Sequence, residues 1–339
     1  MKGMIITHPG LQAVSAKEIK ELLGVQPSIK DSVALFETDK VEDFCLLCYR
    51  SQSAFKVLQL FTSFEASELE NTFDAIKEYD LSKYLKDKTF SVRAKILEND
   101  SFDTMETERE IGAIIHEKYD AKVSLENPDL QFFVYVYKDQ FYFGLDFAGF
   151  DLSKRTYRLF CQSDSIKGTL AYCLVRLSGY EPGVIFLDPF AQSGTVCIEA
   201  ALFASNKSPH FYDKEKFAFH NFPHLEGIDI DSFFEEQNAL QQGVKGLNCY
   251  DSQQRHVKAA EKNAKAIGVN KLLNFSRTEV EWLDTKFEKK SVDVITTNPP
   301  KPSVHYTSES LEKAFQEFFY TADFILKKEG KIVVLGKNY

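Results

Sequence analysis

The sequence predicts an α/β protein in which a doubly wound parallel sheet follows an α+β region. From about Gln162, short apolar runs alternate with amphipathic helices, an order typical of a parallel sheet covered by helices on both faces. Before Gln162, strands and helices follow one another without regular alternation, as in small α+β domains. A chain of 339 residues, 44% of them hydrophobic, is long enough for two or three domains with separate cores.

The first domain is predicted to comprise residues 1–66. It begins with a strand, MIIT, and an amphipathic helix, LQAVSAKEIKELLG. The later segment FCLLCYRSQSAFKVLQLF is interpreted as a second helix. The apolar face of that helix would consist of Phe44, Leu47, Cys48, Phe55 and Leu58.

Cys45 and Cys48 form a CxxC pair within this segment. A zinc site needs four ligands, and no second CxxC or CxxH pair lies near them in the sequence. A redox pair is expected at the start of a helix that follows a strand, and this pair is not placed there. We therefore interpret both residues as reduced thiols that face the core.

The second domain is predicted to comprise residues 67–158. TFSVRAKI reads as a strand, TEREIGAIIHEKY as an amphipathic helix, and FFVYVYKDQFYFGLDF as a hairpin that turns near Lys138 and Asp139. The aromatic residues of the hairpin are assigned to sheet and core packing, which is the first explanation required for 30 phenylalanines in one chain.

The third domain is predicted to comprise residues 159–339. A helix, SIKGTLAYCLVRLSG, precedes the strand VIFLD, the loop PFAQSG and the helix TVCIEAALFA. An insertion of weak periodicity, residues 206–246, separates these elements from the strand GLNCYD and the helix QQRHVKAAEKNAKAIG. The strands LLNFSR and VDVITTN, the helix ESLEKAFQEFFYTADFILKK and the strand KIVVLG complete the alternating order.

Polar side chains end or follow four predicted strands of this third domain: Asp188, Asp251, Glu279 and Asn298. Ligands of doubly wound sheets bind beyond the carboxyl ends of the strands, and an acid after the second strand typically accepts from the ribose hydroxyls of a nucleoside cofactor. Asp188 or Asp251 alone would fit a helix N-cap equally well. Four such residues at successive strand ends indicate one shared binding site.

Two consecutive prolines follow Asn298. Proline lacks a backbone donor and has a fixed φ, so the pair cannot continue a strand or a helix and forms a stiff turn instead. An isolated Asn-Pro-Pro sequence is most simply a turn after a strand. Its functional meaning depends on the other motifs.

Together these motifs resemble the class I S-adenosylmethionine-dependent methyltransferases, and specifically the THUMP-domain RNA methyltransferases. LDPFxxSGTxxIEAA and NPP carry the resemblance most specifically. THPGLQAVSAKEIKELLG resembles the family's N-terminal ferredoxin-like domain, SLENPDLQFFVYVYKDQFYFGLDFAGFDLSKRTYR its THUMP core, and FAFHNFP an insertion of archaeal members. The resemblance implies a ferredoxin-like domain at residues 1–66, a THUMP domain at 67–158 and a Rossmann-like methyltransferase domain at 159–339.

The resemblance also implies S-adenosylmethionine as the cofactor. Its methionine end would be held by Asp188 and the loop that follows, its ribose by Asp251, and its adenine by Glu279 and Val280. Ser252 is also implied in cofactor binding. The residues of that loop implied in cofactor binding are Phe190, Ala191, Gln192, Ser193, Gly194 and Thr195. No metal is expected.

The implied catalytic motif is Asn298, Pro299, Pro300 and Lys301, and Asn298 would also line the cofactor site. The Asn298 side chain and the Pro299 carbonyl would accept hydrogen bonds from an exocyclic amine of a base. Such acceptors draw electron density back to the amine nitrogen and aim its lone pair at the methyl group, so positioning dominates the chemistry. The target base must be flipped out or single-stranded.

The sequence departs from the family pattern at three places. Gln192 stands where the family commonly has a glycine, and Lys301 stands where an aromatic residue normally stacks on the base. The chain also ends after the fifth predicted strand of the sheet, where the family normally continues into two more. We hypothesise that His305 or Tyr306, later in the same loop, supplies the missing ring.

The net charge of −9 excludes nucleic-acid binding by overall attraction, so an RNA contact requires a local basic patch. Lys154, Arg155 and Arg158 in DLSKRTYR are candidate phosphate contacts, although composition alone fits a solvated connector. No apolar run is long enough to span a bilayer and no signal peptide is recognisable, so a cytoplasmic protein with no membrane partner is expected.

The sequence is most consistent with an enzyme that methylates N2 of a guanosine in tRNA, with the THUMP domain recognising the acceptor end. One alternative is a catalytically impaired RNA-binding module that retains the fold. An rRNA guanine-N2 methyltransferase is another. A DNA or protein methyltransferase using the same NPP chemistry is disfavoured by the THUMP-like half, and no DNA partner is expected.

Overall fold

The computed structural model describes residues 1–65, 73, 76–162, 164–302 and 307–336. The chain forms two compact units. The first comprises Met1–Leu152 together with Asp213–Phe233, and the second comprises Ser153–Tyr212 together with Phe234–Tyr339. Part of the predicted insertion between residues 206 and 246 therefore belongs to the first unit.

An eight-stranded mixed sheet forms the first unit. Its strands are β1 (Lys2–Ile6), β2 (Ser28–Lys30), β3 (Val33–Glu37), β4 (Lys56–Glu65), β5 (Thr89–Leu97), β6 (Lys122–Val123), β7 (Leu130–Tyr137) and β8 (Gln140–Asp146). The spatial order is β2-β3-β1-β4-β8-β7-β5-β6, and β5 pairs in parallel with both β6 and β7. Because β4 pairs with β8, strands from residues 1–66 and from residues 67–158 share one sheet. The boundary between these two predicted domains stays a prediction.

The helices of this unit whose bounds lie within the described residues are α1 (Gln12–Leu23), α2 (Glu42–Arg50), α3 (Ser82–Leu85) and α4 (Thr104–Tyr119). The predicted aromatic hairpin is confirmed as β7 and β8, which turn at Lys138 and Asp139. Lys138 adopts a left-handed backbone conformation with φ 51°, as the tight turn requires. The prediction for TEREIGAIIHEKY is also confirmed, since it lies within α4.

The predicted long helix around the CxxC pair is wrong in its second half. Helix α2 ends at Arg50, and Leu58 lies in β4. The buried carboxylate of Glu18 explains the early end, because it accepts from the backbone N–H groups of Gln52 at 2.7 Å and Ser53 at 3.2 Å. Those donors are then no longer available for the next helical turn.

Cys45 and Cys48 are both buried, free thiols. Burial raises the pKa of each thiol, so both stay protonated at neutral pH. The interpretation of these residues as core-facing thiols is confirmed.

The inserted segment 213–233 packs on the first unit through its backbone. It contains three short 3₁₀ helices, at Lys214–Lys216, Ala218–Asn221 and Pro223–Leu225. The N–H groups of Ala218 and Phe219 donate to the carbonyls of Ala148 and Phe147, at 3.0 and 3.2 Å. These bonds attach the segment just beyond the end of β8.

A five-stranded parallel sheet forms the second unit. Its strands are β9 (Phe186–Asp188), β10 (Leu247–Asp251), β11 (Leu273–Arg277), β12 (Val292–Thr297) and β13 (Leu326–Val334). Their order, β11-β10-β9-β12-β13, runs outward from β9 in both directions. This order confirms the doubly wound sheet, whose switch point lies between β9 and β12.

Among the described residues, the helices next to these strands along the chain are α5 (Gly168–Leu177), α6 (Thr195–Ser205), α7 (Ile230–Ala239), α8 (Gln254–Ile267) and α9 (Ser308–Ile325). The first four residues of α7 belong to the first unit. Apolar residues of α5, α6 and α8 share one core cluster with β9 and β10. Within the described ranges, no helix is both long and apolar enough to cross a bilayer.

Arg155 occupies a buried ion pair in the second unit. Its side chain is 0% exposed, and its Nε donates to Glu199 Oε1 at 2.9 Å, while the Tyr157 hydroxyl donates to the same oxygen at 2.8 Å. The prediction of Arg155 as a phosphate contact is therefore wrong, because its guanidinium is committed to a carboxylate inside the fold. Lys154 is exposed and Arg158 is half-buried.

We expect Glu199→Ala to lower the free energy of unfolding by about 3–5 kcal/mol, because it leaves the guanidinium of Arg155 buried without its carboxylate. Urea denaturation followed by circular dichroism measures the loss. Lys154→Ala, an exposed substitution in the same segment as Arg155, is the control and should change stability by less than about 0.5 kcal/mol. Equal stabilities of the two variants would contradict the role of the ion pair.

A second prediction concerns His224 in the first unit. Its ring lies among the rings of Tyr84, Phe147 and Phe222, and burial lowers its pKa to about 4. In the unfolded chain this histidine takes up a proton near pH 6.5. The unfolded state therefore binds more protons between pH 6.5 and 4, and stability should fall as the pH falls through that range.

The expected loss from His224 is roughly 1 kcal/mol between pH 7 and 5 at this partly exposed position. His224→Phe keeps an aromatic ring and should reduce the pH dependence by that amount. Denaturation of both proteins at the two pH values measures the difference. The same pH dependence in both proteins would refute the assignment to His224.

Candidate active site

Three of the four predicted strand-end residues are buried at one end of the parallel sheet. Asp188 ends β9, Asp251 ends β10, and Asn298 follows β12. Glu279, two residues after β11, is exposed at the same end. The parallel strand order brings these positions together, because all four strands have their carboxyl ends on the same side.

The carboxylate of Asp188 is 1% exposed and joins two strand ends. Its Oδ1 accepts from the Thr297 hydroxyl at 2.6 Å and from the Phe190 N–H at 3.2 Å. Burial raises the pKa of Asp188 to about 7, a rise that the nearby charge of Asp251 supports and that these two hydrogen bonds oppose. The residue can therefore exchange a proton near neutral pH.

Asp251 is fixed by donors from three directions. Its Oδ2 accepts from the Gln192 N–H at 2.9 Å. Its Oδ1 accepts from the Gln253 N–H at 2.9 Å and from Nδ1 of His256 at 3.0 Å. Since each carboxylate oxygen can accept two hydrogen bonds, Oδ2 retains capacity for one more donor.

The loop after β9 makes a tight turn into α6. The Gly194 N–H donates to the Ala191 carbonyl at 2.7 Å. Gly194 has φ 78°, and a Cβ there would lie 2.7 Å from Cβ of Ala260, so glycine is required both by the backbone conformation and by the close packing of α8. Ser193 and Thr195 lie on either side of Gly194, and their hydroxyls are 3.2 Å apart.

Gln192 also has a left-handed backbone, with φ 49°, although it is not glycine. Its Nε2 donates to the backbone carbonyl of Asn298 at 2.8 Å, and Asn298 Nδ2 donates to the Asp164 carbonyl at 3.0 Å. In the described part of the chain, neither Gln192 Oε1 nor Asn298 Oδ1 has a hydrogen-bond partner, although both are buried. Two acceptors are thus available in one small region.

A cavity of about 390 Å³ opens beside these residues. Several of the predicted cofactor and catalytic residues line it: Phe190, Gln192, Asp251, Ser252, Glu279, Val280 and Pro300. A second, narrow pocket of about 10 Å³ adjoins the loop after β9. Its predicted lining residues are Asp188, Phe190, Ala191, Gln192, Ser193, Thr195 and Asn298. Phe190 and Gln192 therefore border both spaces.

Other predicted residues lie outside these linings. Gly194 shapes the turn into α6 but does not line either space. Pro299 is buried and Lys301 is half-buried, and neither lines these spaces. His305 and Tyr306, named as sources of the missing ring, lie outside the described residues.

Sequence reasoning missed four groups of the site. Thr297 binds Asp188, His256 binds Asp251, Ser165 lines the narrow pocket, and α9 contributes a wall of the larger cavity through residues such as Leu311. Thr297 immediately precedes the Asn-Pro-Pro turn, so its position at a strand end was a usable signal. Ser165 and the α9 residues belong to none of the motifs, and so they carried no such signal.

Comparisons with known proteins agree with this architecture. Residues 155–339, more than half of the chain, match the family described as RMKL-like, methyltransferase domain. Residues 66–146 match the THUMP domain.

Individual relatives cover most of the chain at low identity. A tRNA (guanine(6)-N2)-methyltransferase of Methanocaldococcus jannaschii is 25% identical over 99% of this chain and 90% of its own length. The ribosomal RNA large subunit methyltransferase K/L of Vibrio parahaemolyticus is 26% identical over 88% of this chain and 43% of its own length. A protein whose crystal structure was determined in complex with S-adenosylhomocysteine shares the fold, with a TM-score of 0.78, 22% identity, and coverage of 95% of this chain and 86% of that one.

The doubly wound sheet, the strand-end residues and these matches lead to one conclusion. The chain belongs to the family described as RMKL-like, methyltransferase domain, and a THUMP domain precedes its methyltransferase domain.

Proposed function

We propose that this protein transfers a methyl group from S-adenosylmethionine to N2 of a guanosine in tRNA. The observation that carries this proposal is the buried Oδ1 of Asn298, which has no partner among the described residues and stands at the start of a stiff Asn-Pro-Pro turn. An exocyclic amine is a donor that fits such an acceptor. The tRNA and guanine-N2 parts rest on the THUMP match and on the name of the archaeal relative.

The larger cavity fits the adenosine part of the methyl donor. Its volume of about 390 Å³ lies in the range of small-ligand sites, and Asp251 Oδ2 retains capacity for a ribose hydroxyl. Glu279 and Val280 line the same cavity, where they would contact the adenine. Asp188 lines the adjoining pocket, where its carboxylate would accept from the ammonium of the methionine end.

When bound, the sulfonium of the cofactor supplies an electrophilic methyl group. Asn298 Oδ1 would accept one hydrogen of the target amine, and the carbonyl of Pro299 would accept the other. These acceptors raise the electron density on the amine nitrogen and orient its lone pair, and the rigid turn holds them in place before the substrate arrives. Asp164 and Gln192 hold the same turn by hydrogen bonds to Asn298.

RNA is the substrate class best supported by the THUMP domain. The target guanosine must leave its stack to reach a site at the end of the sheet. Lys154 and Arg158 remain candidate phosphate contacts, and Arg155 is removed from that set by its ion pair with Glu199.

The first test is mass spectrometry of nucleosides after incubation of the protein with S-adenosylmethionine and unmodified tRNA or rRNA. We expect N2-methylguanosine in tRNA. The same product in rRNA alone would instead support the ribosomal alternative, and the absence of any methylated nucleoside would contradict the enzymatic proposal.

Asn298→Ala should lower the methylation rate about 10²- to 10³-fold, because it removes an acceptor that positions the reacting amine. Asn274→Ala makes the same change at an exposed position on β11 and is the control. Thermal denaturation confirms that both variants fold. A variant lacking Asn298 Oδ1 that methylates at the parental rate would refute the role of this residue.

The raised pKa of Asp188 generates a prediction about cofactor affinity. Its carboxyl group is protonated below about pH 7, and only the carboxylate attracts the ammonium of the methionine end. The affinity for S-adenosylhomocysteine should therefore increase about tenfold from pH 6 to pH 8. Calorimetric titration at several pH values measures this change. Asp188→Asn should bind more weakly with a flat profile, and an affinity of the parent protein that does not depend on pH would contradict the assignment.

A further inference from the structure

We propose that Gln192 determines access of the methionine end of the cofactor, because its side-chain amide closes that end of the site and must swing away on binding. This inference rests on the proposed function, since it takes the cavity of about 390 Å³ as the adenosine site. It adds a role for a side chain that borders both the larger cavity and the narrow pocket.

The backbone of Gln192 is held firmly. Its φ of 49° is unfavourable for a residue with a Cβ, so neighbouring contacts must maintain it. One such contact is the hydrogen bond from its N–H to Asp251 Oδ2 at 2.9 Å. Movement is therefore expected in the side chain rather than in the backbone.

The side chain of Gln192 crosses from the cofactor loop to the Asn-Pro-Pro turn. It is 6% exposed, and its Nε2 donates to the Asn298 carbonyl at 2.8 Å. Its Oε1 is buried and has no partner within the described ranges. Within the described ranges the bond to Asn298 is therefore the one side-chain hydrogen bond of Gln192, and its loss is the cost that release of the amide must meet.

The space next to this side chain is too small for an amino-acid tail. The narrow pocket that includes Asp188 and Asn298 has a volume of about 10 Å³, which is about the room needed by one water molecule. Gln192 borders both this pocket and the adenosine cavity. A ligand that enters through the adenosine cavity can extend toward Asp188 only after the Gln192 side chain has moved.

Two consequences distinguish this role from a purely structural one. A ligand that contains only adenosine and a short thioether should bind without disturbing Gln192. A ligand that carries the amino-acid tail must break the bond to Asn298, and this cost should weaken its binding.

The experiment compares S-adenosylhomocysteine with 5′-methylthioadenosine by calorimetric titration of the full chain. We expect Gln192→Gly to bind S-adenosylhomocysteine about three- to tenfold more tightly than the parent, which corresponds to the net contribution of one hydrogen bond. The affinity for 5′-methylthioadenosine should not change, and this constant value also shows that the adenosine half of the variant is folded. Gln192→Met fills the same space without donating to Asn298 and should give a smaller gain.

The outcomes distinguish a failure of the gating role of Gln192 from a failure of the proposed function. If S-adenosylhomocysteine binds the parent and both variants equally, the gating role of Gln192 is wrong and the proposed function stands. A parallel change in both ligands would also refute it, since the residue would then act on the adenosine half. If neither ligand binds any of the proteins, the cofactor assignment fails, and this inference fails with it.

Discussion

The hydrogen bond from Thr297 to the buried carboxylate of Asp188 joins the ends of two adjacent parallel strands, β12 and β9. These strands lie on either side of the switch point, where the connections of a doubly wound sheet diverge and leave a crevice. Both residues stand at the last position of their strands, so the bond lies where the following segments begin. The loop after Asp188 turns toward β10, and the Asn-Pro-Pro turn leaves β12 beside it. The candidate site is the space between that loop and the Asn-Pro-Pro turn.

Gln192 connects the remaining parts of that space. Its N–H binds Asp251 at the end of β10, and its side-chain amide binds the Asn298 carbonyl. A glycine at this position could not bind the Asn298 carbonyl, and it would leave the space of the Gln192 side chain beside the narrow pocket empty. The side chain of Gln192 therefore links the loop after β9 to the Asn-Pro-Pro turn and borders the narrow pocket beside them. Lys301, the other unexpected residue near the site, lines neither the larger cavity nor the narrow pocket.

The ion pair between Arg155 and Glu199 attaches the segment around Tyr157 to α6, the helix that follows the loop after β9. A buried guanidinium with a carboxylate and a hydroxyl around it is satisfied by the fold and has no capacity to bind phosphate from solvent. In sequence, DLSKRTYR looked like a basic patch interleaved with an aromatic ring. The sequence shows the positive charge of Arg155. Whether its side chain faces solvent or the core depends on Glu199, an acid 44 residues away.

Local sequence determined the elements of this protein and most of the positions of its site. Apolar periodicity, turn residues and polar residues at strand ends each depend on a few neighbouring residues. The β7–β8 hairpin, the parallel sheet and the strand-end positions of Asp188, Asp251 and Asn298 could therefore be predicted. The tertiary structure alone decided the contacts between distant segments. Glu18 ends α2 by binding Gln52 and Ser53, and Gln192 reaches Asn298 across 106 residues. Such contacts depend on how the strands are ordered in the sheet, and no local pattern of residue types specifies which buried donor will meet which acceptor.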